Sequence, residues 1–368
     1  MAVILAALIA CPPAHGLVSI DDGKNQLYIT AGANFAWDSN IFASSSSSGD
    51  FIYSASLSLD FKRRAGLIGI NGSVGIDASQ FGKFKGESFQ NPHFRAELTK
   101  ASGRTTGSLT LGAARQSRAD TAANLRNESW NYDTGINFKY PVIERYSISG
   151  SLNYSLLDYI DNTLFVDLRT YSASVDLYYV YTTERDLMAG YRIRYGETSS
   201  NTSFYDHAFT AGISGKILPK VGGSLRVGYQ IRQPRGTTEG DYKALTASAA
   251  TTWNASKRIA VATQISKDFS TSSTNINIDA TSINTDFRYA LSAKMLFFTG
   301  LGYGTNRFLG AAGGGRRDTF FTWDIGGNYT MSDHLKVSLS YAYYQNWSSV
   351  NFGDFTRNSI NLNLSSTF

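Results

Sequence analysis

The feature that most constrains this chain is a two-residue period, held over stretches of about ten residues and repeated along most of its length. Leu27, Ile29, Ala31, Ala33, Phe35 and Trp37 share one parity, while Tyr28, Thr30, Gly32 and Asn34 take the other. The same alternation returns in Phe51 to Phe61, Trp130 to Tyr140, Tyr171 to Tyr181 and Leu335 to Tyr343. Successive side chains of a strand point to opposite faces, so each run predicts a strand with one apolar and one polar face. Aromatic residues gather toward the ends of the runs, where an interfacial girdle needs them.

The connections alternate in length. Short ones fall near Lys62–Gly66, Ala101–Thr105, Pro141–Glu144, Thr182–Glu184 and Leu218–Val221, and long ones near Asp38–Asp50, Ser79–Pro92, Gln116–Asn127 and Asp158–Leu168. Eight short turns and nine long loops separate eighteen strands, with a range of 16–20. All six prolines are expected in the leader or in connections, because a central strand cannot use a residue without an N–H. An open sheet edge in lipid would leave backbone groups unpaired. The expected fold is therefore all-β, a transmembrane up-and-down antiparallel β-barrel of about 18 strands in a bacterial outer membrane. The final run, Ile360, Leu362, Leu364, Ser366 and Phe368, resembles the terminal strand of outer-membrane proteins. That resemblance implies that Phe368 belongs to the signal read by the barrel-assembly machinery.

Other classes are excluded by composition. The one uninterrupted apolar stretch, Ala2 to Cys11, is too short for a membrane-spanning helix. The 22 Tyr, 22 Phe and 5 Trp carry more buriable surface than a disordered chain has. The formal charge of +5 is dispersed, with no basic run longer than a pair, so a nucleic-acid partner is not expected. Cys11 is the single cysteine, which removes disulfides, thiolate metal sites and cysteine nucleophiles from the body of the chain.

Residues 1–16 read as a signal peptide: an apolar stretch followed by the small-x-small pattern Ala14-His15-Gly16. Leu8-Ile9-Ala10-Cys11 also resembles a bacterial lipobox, which would leave a lipidated Cys11. Residues 17–25 are then a periplasmic N-terminal segment and 26–368 the barrel.

Side chains of polar parity point into the lumen. Arg192 and Arg194 flank Ile193 on one strand, and Arg226, Gln230 and Arg232 share an orientation two strands further on. Arg95 and Arg288 also face inward, as do Asp176, Asp286 and Asp324. Two readings stay open. The arginines form an anion-selective wall, since guanidinium groups bind carboxylates, phosphates and sulfates in two-pronged fashion. Alternatively they pair with Glu97, Asp133, Asp176, Asp206, Asp286 and Asp324 in a structural network. Tyr344, Asn137, Asn153 and Gln230 are side chains suited to contacting sugars. His93, His207 and His334 sit in no nucleophile or metal motif, so neither enzyme activity nor a metal or cofactor is expected.

Trp37-Asp38-Ser39-Asn40-Ile41-Phe42 closes the first strand. It resembles the motif that starts outer-membrane porins associated with exopolysaccharide operons, and the strand plan is similar to that of the alginate-export barrels. The resemblance implies a polysaccharide or polar solute as cargo and export partners in the periplasm. The expected function is a water-filled channel for polar or anionic solutes, including polysaccharide export, with outer-membrane lipid around it. The alternative is a plugged barrel serving as an adhesin or scaffold through its long Ser/Gly/Asn loops.

Overall fold

The computed structural model describes residues 18–20, 24–63, 66–160 and 164–368. The signal-peptide reading of residues 1–16 and the lipidation of Cys11 lie outside the described residues. A short strand, β1 (Val18–Ile20), folds back on the first of eighteen long ones. These are β2 (Asn25–Asp38), β3 (Asp50–Arg63), β4 (Gly69–Phe81), β5 (Phe89–Lys100), β6 (Thr106–Asp120) and β7 (Leu125–Ile143). Next come β8 (Tyr146–Tyr159), β9 (Leu168–Thr182), β10 (Arg185–Thr198), β11 (Ser203–Leu218), β12 (Val221–Arg235) and β13 (Tyr242–Trp253). The last are β14 (Ile259–Thr271), β15 (Asn277–Ala290), β16 (Met295–Phe308), β17 (Arg317–Thr330), β18 (Leu335–Ser348) and β19 (Phe355–Thr367).

Each long strand pairs antiparallel with the next, and β19 returns to β2 from Ser359↔Asp38 to Thr367↔Thr30, so the sheet closes into an eighteen-strand barrel. The Phe368 backbone completes the seam, exchanging hydrogen bonds with Ile29 at 2.8 and 3.0 Å. The apolar parity faces outward: Leu57, Val74, Leu152, Leu177, Val227, Leu301 and Leu339 are all exposed on the wall. This inverts a water-soluble sheet and places the apolar band where lipid covers it.

Two expectations about connections change. Strands run further than the alternation suggested, so the predicted loop Gln116–Asn127 shrinks to residues 121–124 and Ser79–Pro92 to 82–88. Three prolines lie within strands rather than in connections. Pro92 pairs only with Ile76 of β4, because the β5–β6 ladder begins at His93. Pro234 pairs with Phe204 after the β12–β13 ladder has ended at Arg232, and Pro141 pairs with Ser147 beyond the last β6–β7 pair at Lys139. Each sits in an overhang with a neighbour on one side, where the missing donor can face the empty side.

At the end opposite the short turns, the loops pack against one another. Ile41, Ala43, Phe81, Phe308 and Leu309 are buried there. Arg126 donates from Nη1 to the Ile41 carbonyl at 3.2 Å, with its guanidinium over the Phe81 ring. Arg316 grips Asp318 through Nε and Nη2 at 3.0 and 2.7 Å. It also donates to the carbonyls of Ala122 at 2.8 Å and Thr121 at 3.3 Å. The β6–β7 and β16–β17 loops have six strands between them one way round and eight the other, so Arg316 ties nearly opposite walls across the mouth.

Replacing Arg316 with alanine should loosen this tie without touching a wall strand. Protease cleavage within residues 309–316 and 121–124 of the folded protein should rise on the order of tenfold, with the β-sheet circular dichroism unchanged. Unchanged cleavage would show that the loops are held by something else.

Candidate functional site

The wall is not evenly paired. The β13–β14 ladder runs only from Trp253↔Val261 to Ala247↔Lys267, while β14 stays paired with β15 up to Thr271↔Asn277. Above Lys267, β14 therefore parts from β13. Its end and the β14–β15 connection lie instead over the lumenal side of β11–β13, where they reach side chains of β10 and β12. The Phe269 carbonyl accepts from Arg194 Nη2 at 2.7 Å, and the Ser270 carbonyl accepts from Arg232 Nη1 at 2.7 Å. Further along, Thr202 Oγ1 donates to Asn275 Oδ1 at 2.9 Å, and the Val166 N–H donates to the Ser273 carbonyl at 2.9 Å.

The sequence places these contacts through strand parity and register. Arg194, Asp206 and Arg232 stand side by side on β10, β11 and β12, all on the lumenal face. Asp206 is fully buried and accepts from Arg232 Nε at 2.7 Å and Nη2 at 2.8 Å, and from Arg194 Nε at 2.7 Å. The remaining Arg232 donor group, Nη1, also reaches Asn277 Oδ1 at 3.0 Å. Its guanidinium lies 3.9 Å over the Phe204 ring. A Cβ on residue 196 would lie 2.2 Å from Phe204 Cζ, so Gly196 makes the room that ring needs. Arg232 and Arg194 thus anchor the inward segment, and the charge of Arg232 is spent inside the protein.

The second pair of arginines faces open space. Arg192 Nη2 donates to Asp268 Oδ1 at 2.8 Å. Arg226 Nη1 donates to Asp176 Oδ1 at 2.7 Å and Nη2 to Tyr178 Oη at 3.1 Å. Both line a cavity of about 270 Å³ with Ser174, Thr210, Ser248, Ser266 and Asp268. Gln230 stands in the same cross-strand row as Arg192, fully buried, with neither end of its amide hydrogen-bonded within the protein. Arg192 Nε is likewise buried and unpaired.

The structural-network reading is therefore the one the four clustered arginines follow, with a changed partner set. Asp176 and Asp206 take part, but the third carboxylate is Asp268, which the sequence reading overlooked. Its parity opposite to Ile265 marked it as lumenal. Four guanidinium groups meet three carboxylates here. Asp286 and Asp324 lie elsewhere, on β15 and β17, one on each side of Gly300 in a single row. A Cβ at Gly300 would approach their Oδ1 atoms to 3.2 and 2.2 Å, so the glycine keeps the groove between the two acids open. Arg95 and Arg288 are exposed and have no ion-pair partner among the described residues. Of the histidines, His93 Nδ1 lies 3.4 Å from Asp77, His207 bonds the Tyr191 hydroxyl at 2.7 Å, and the His334 ring stacks on Phe368.

The six-residue motif at 37–42 has work of its own. Asp38 holds Arg357 of β19 across the closing seam at 2.9 Å and accepts from the Asn40 N–H at 2.9 Å. The buried Asn40 amide donates to the carbonyls of Ser44 at 2.7 Å and Thr356 at 3.2 Å. The motif fastens the first loop to the last strand.

Residues 205–368 match the sequence model of a family described as "Putative beta-barrel porin 2". No curated protein matches the chain. Solved structures do. Pseudomonas aeruginosa OpdK with vanillate is 10% identical, covers 93% of this chain and 99% of its own, and gives a TM-score of 0.52. Pseudomonas aeruginosa OccK2 (OpdF) in complex with glucuronate is 11% identical, with coverages of 94% and 98% and a TM-score of 0.52. Acinetobacter baumannii OccAB2 is 13% identical, with coverages of 94% and 98% and a TM-score of 0.51. The chain has the fold of the bacterial outer-membrane β-barrels. At these identities the similarity to the solved barrels is one of fold.

The two pairs of arginines in this outer-membrane barrel should respond differently to replacement. Arg232→Met leaves the buried Asp206 short of its main partner, a loss of about 3–5 kcal/mol. Amide exchange across residues 268–277 should then accelerate roughly a hundredfold. Arg192→Met, the same change of charge, should accelerate those amides far less, because Asp268 keeps Arg194 as a partner and the Phe269 and Ser270 carbonyls keep both of their donors. Equal acceleration in both variants would contradict the division into anchoring and lining arginines.

Proposed function

We propose that the protein is a porin-like channel through which small polar solutes diffuse, with the inward segment of β14–β15 as its constriction and small carboxylates as the preferred solutes. The observation that carries this reading is the division of labour among the arginines. Arg194 and Arg232 are consumed in holding the constriction, while Arg192 and Arg226 border the water-accessible cavity beside it. The cluster's charges, four positive and three negative, leave a small positive excess at the narrowed wall. The guanidinium groups and the hydroxyls that line the cavity are the donors that a carboxylate exchanging its hydration shell would use.

Support also comes from cargo chemistry. Two of the barrels with this fold were solved with vanillate and glucuronate, and both ligands are small carboxylates. A lumenal cavity of about 270 Å³ has room for a solute of that size. The contacts of the 37–42 motif are those of a structural fastening and account for its residues without a polysaccharide.

Single-channel recording in a planar bilayer tests the proposal. The protein should give discrete openings with anions favoured under a salt gradient. In the Arg192→Gln/Arg226→Gln variant that preference should fall to unity or reverse, and a small carboxylate such as glucuronate should stop blocking the chloride current. Folded protein that passes no current, both as wild type and with the mouth loosened by Arg316→Ala, would overturn the channel reading. An unchanged permeability ratio in the double variant would overturn the role given to Arg192 and Arg226.

A further inference from the structure

The outer wall carries a second unusual arrangement of charge, remote from the lumen. Arg307 of β16 and Arg317 of β17 are direct cross-strand partners on the outward face, and both are exposed. Asp279 of β15 is the next residue in the same row, but it is engaged by Lys267 Nζ of β14 at 2.7 Å. Neither arginine has a carboxylate partner among the described residues. Three cations on adjacent strands thus face one carboxylate. Like charges directly opposite each other in a sheet are destabilising unless something between them is negative. Elsewhere on the same rim outward arginines are matched within the chain: Arg169 by Glu197 at 2.7 Å, and Arg115 by Glu128.

The height of the row gives the partner its chemistry. Tyr303 and Phe321 form the cross-strand pair of the outer aromatic girdle on these strands, and the arginine pair lies four residues beyond. At about 3.4 Å per residue and a tilt near 45°, that is roughly 10 Å further from the membrane centre. The apolar wall therefore ends below the arginines, which sit at the depth of lipid headgroups. Two adjacent guanidinium groups and an ammonium at that depth match a phosphate ester, which Arg binds in two-pronged fashion.

We propose that Arg307, Arg317 and Lys267 form a binding site on the outer wall for the phosphorylated headgroup of an outer-leaflet glycolipid. Its acyl chains lie along the apolar face of β15–β17 past Tyr303 and Leu301. The site is independent of the lumen and of what passes through it.

Native mass spectrometry of the full-length protein in non-ionic detergent, titrated with bis-phosphorylated lipid A, tests the assignment. One lipid A should remain bound through detergent removal. Arg307→Gln/Arg317→Gln should weaken that binding roughly tenfold, and Lys267→Gln should weaken it less. Dephosphorylated lipid A should bind the wild type no better than lipid A binds the double variant. The heat-dependent gel mobility of each variant reports that the barrel is folded, and because both arginines are exposed it should match the wild type. Folded double variant that binds lipid A within twofold of wild type would overturn the site. So would displacement by equimolar inorganic phosphate, because the lipid would then contribute nothing beyond its phosphate.

Discussion

Everything in this molecule follows from one demand: inside a bilayer each backbone N–H and C=O has to find a partner within the protein. Closure of β19 onto β2 meets it around the circumference, and the Asp38–Arg357 pair with the Phe368 backbone fastens that seam. The interesting place is where the wall departs from continuous pairing. When β14 leaves β13 above Lys267, the Phe269 carbonyl on the abandoned edge would otherwise lack a partner. Arg194 supplies the missing donor from across the lumenal face, and Arg232 adds a bond to the neighbouring Ser270 carbonyl. Irregular backbone at membrane depth is tolerated only when buried in protein or facing water, and the two guanidinium groups make the first condition hold. Asp206 in turn holds both of them in aim.

The same geometry explains how one strand pair can both hold and select. Side chains two residues apart on a strand share a face, so Arg192 and Arg194 both point inward, about 7 Å apart along β10. One falls under the inward segment and is used up by it, while the other falls beside the cavity. The barrel needs no separate domain to narrow its lumen. An early end to one ladder, with arginines at the right register, is sufficient.

Much of this was legible from parity. The eighteen strands and their inward and outward faces come from the two-residue period, because burial in lipid on one side enforces it through the middle of each strand, with charged residues on the outward face only toward the strand ends. The lumenal placement of Arg192, Arg194, Arg226 and Arg232 rests on the same rule. Parity fails where neighbours stop matching in length. Pro92, Pro141 and Pro234 are in strands because one adjacent ladder ends before them, and ladder ends depend on stagger between strands, which no single run encodes. The ion-pair partners were only half readable. Asp206 is adjacent in register to Arg194 and Arg232, whereas Asp268 is four strands from β10 and reaches Arg192 only because its segment turns inward. Nothing in Ser266 to Asn277 announces that turn. The motif at 37–42 shows the converse: a recognisable string whose residues are accounted for by an Asx-type turn and a seam salt bridge.

The inward course of the β14–β15 segment is the central claim, and cysteine cross-linking measures it most directly. Thr202 and Asn275 touch through their side chains only if the segment crosses the lumenal face of β11–β13. In intact outer membranes, Thr202→Cys/Asn275→Cys should form a disulfide or accept a short bifunctional link in most molecules, and the linked protein should keep its barrel mobility on a gel. A segment that instead continued the wall beside β13 would leave 202 and 275 unlinked. It would link Ala244→Cys to Ser270→Cys instead, and that result would contradict the account.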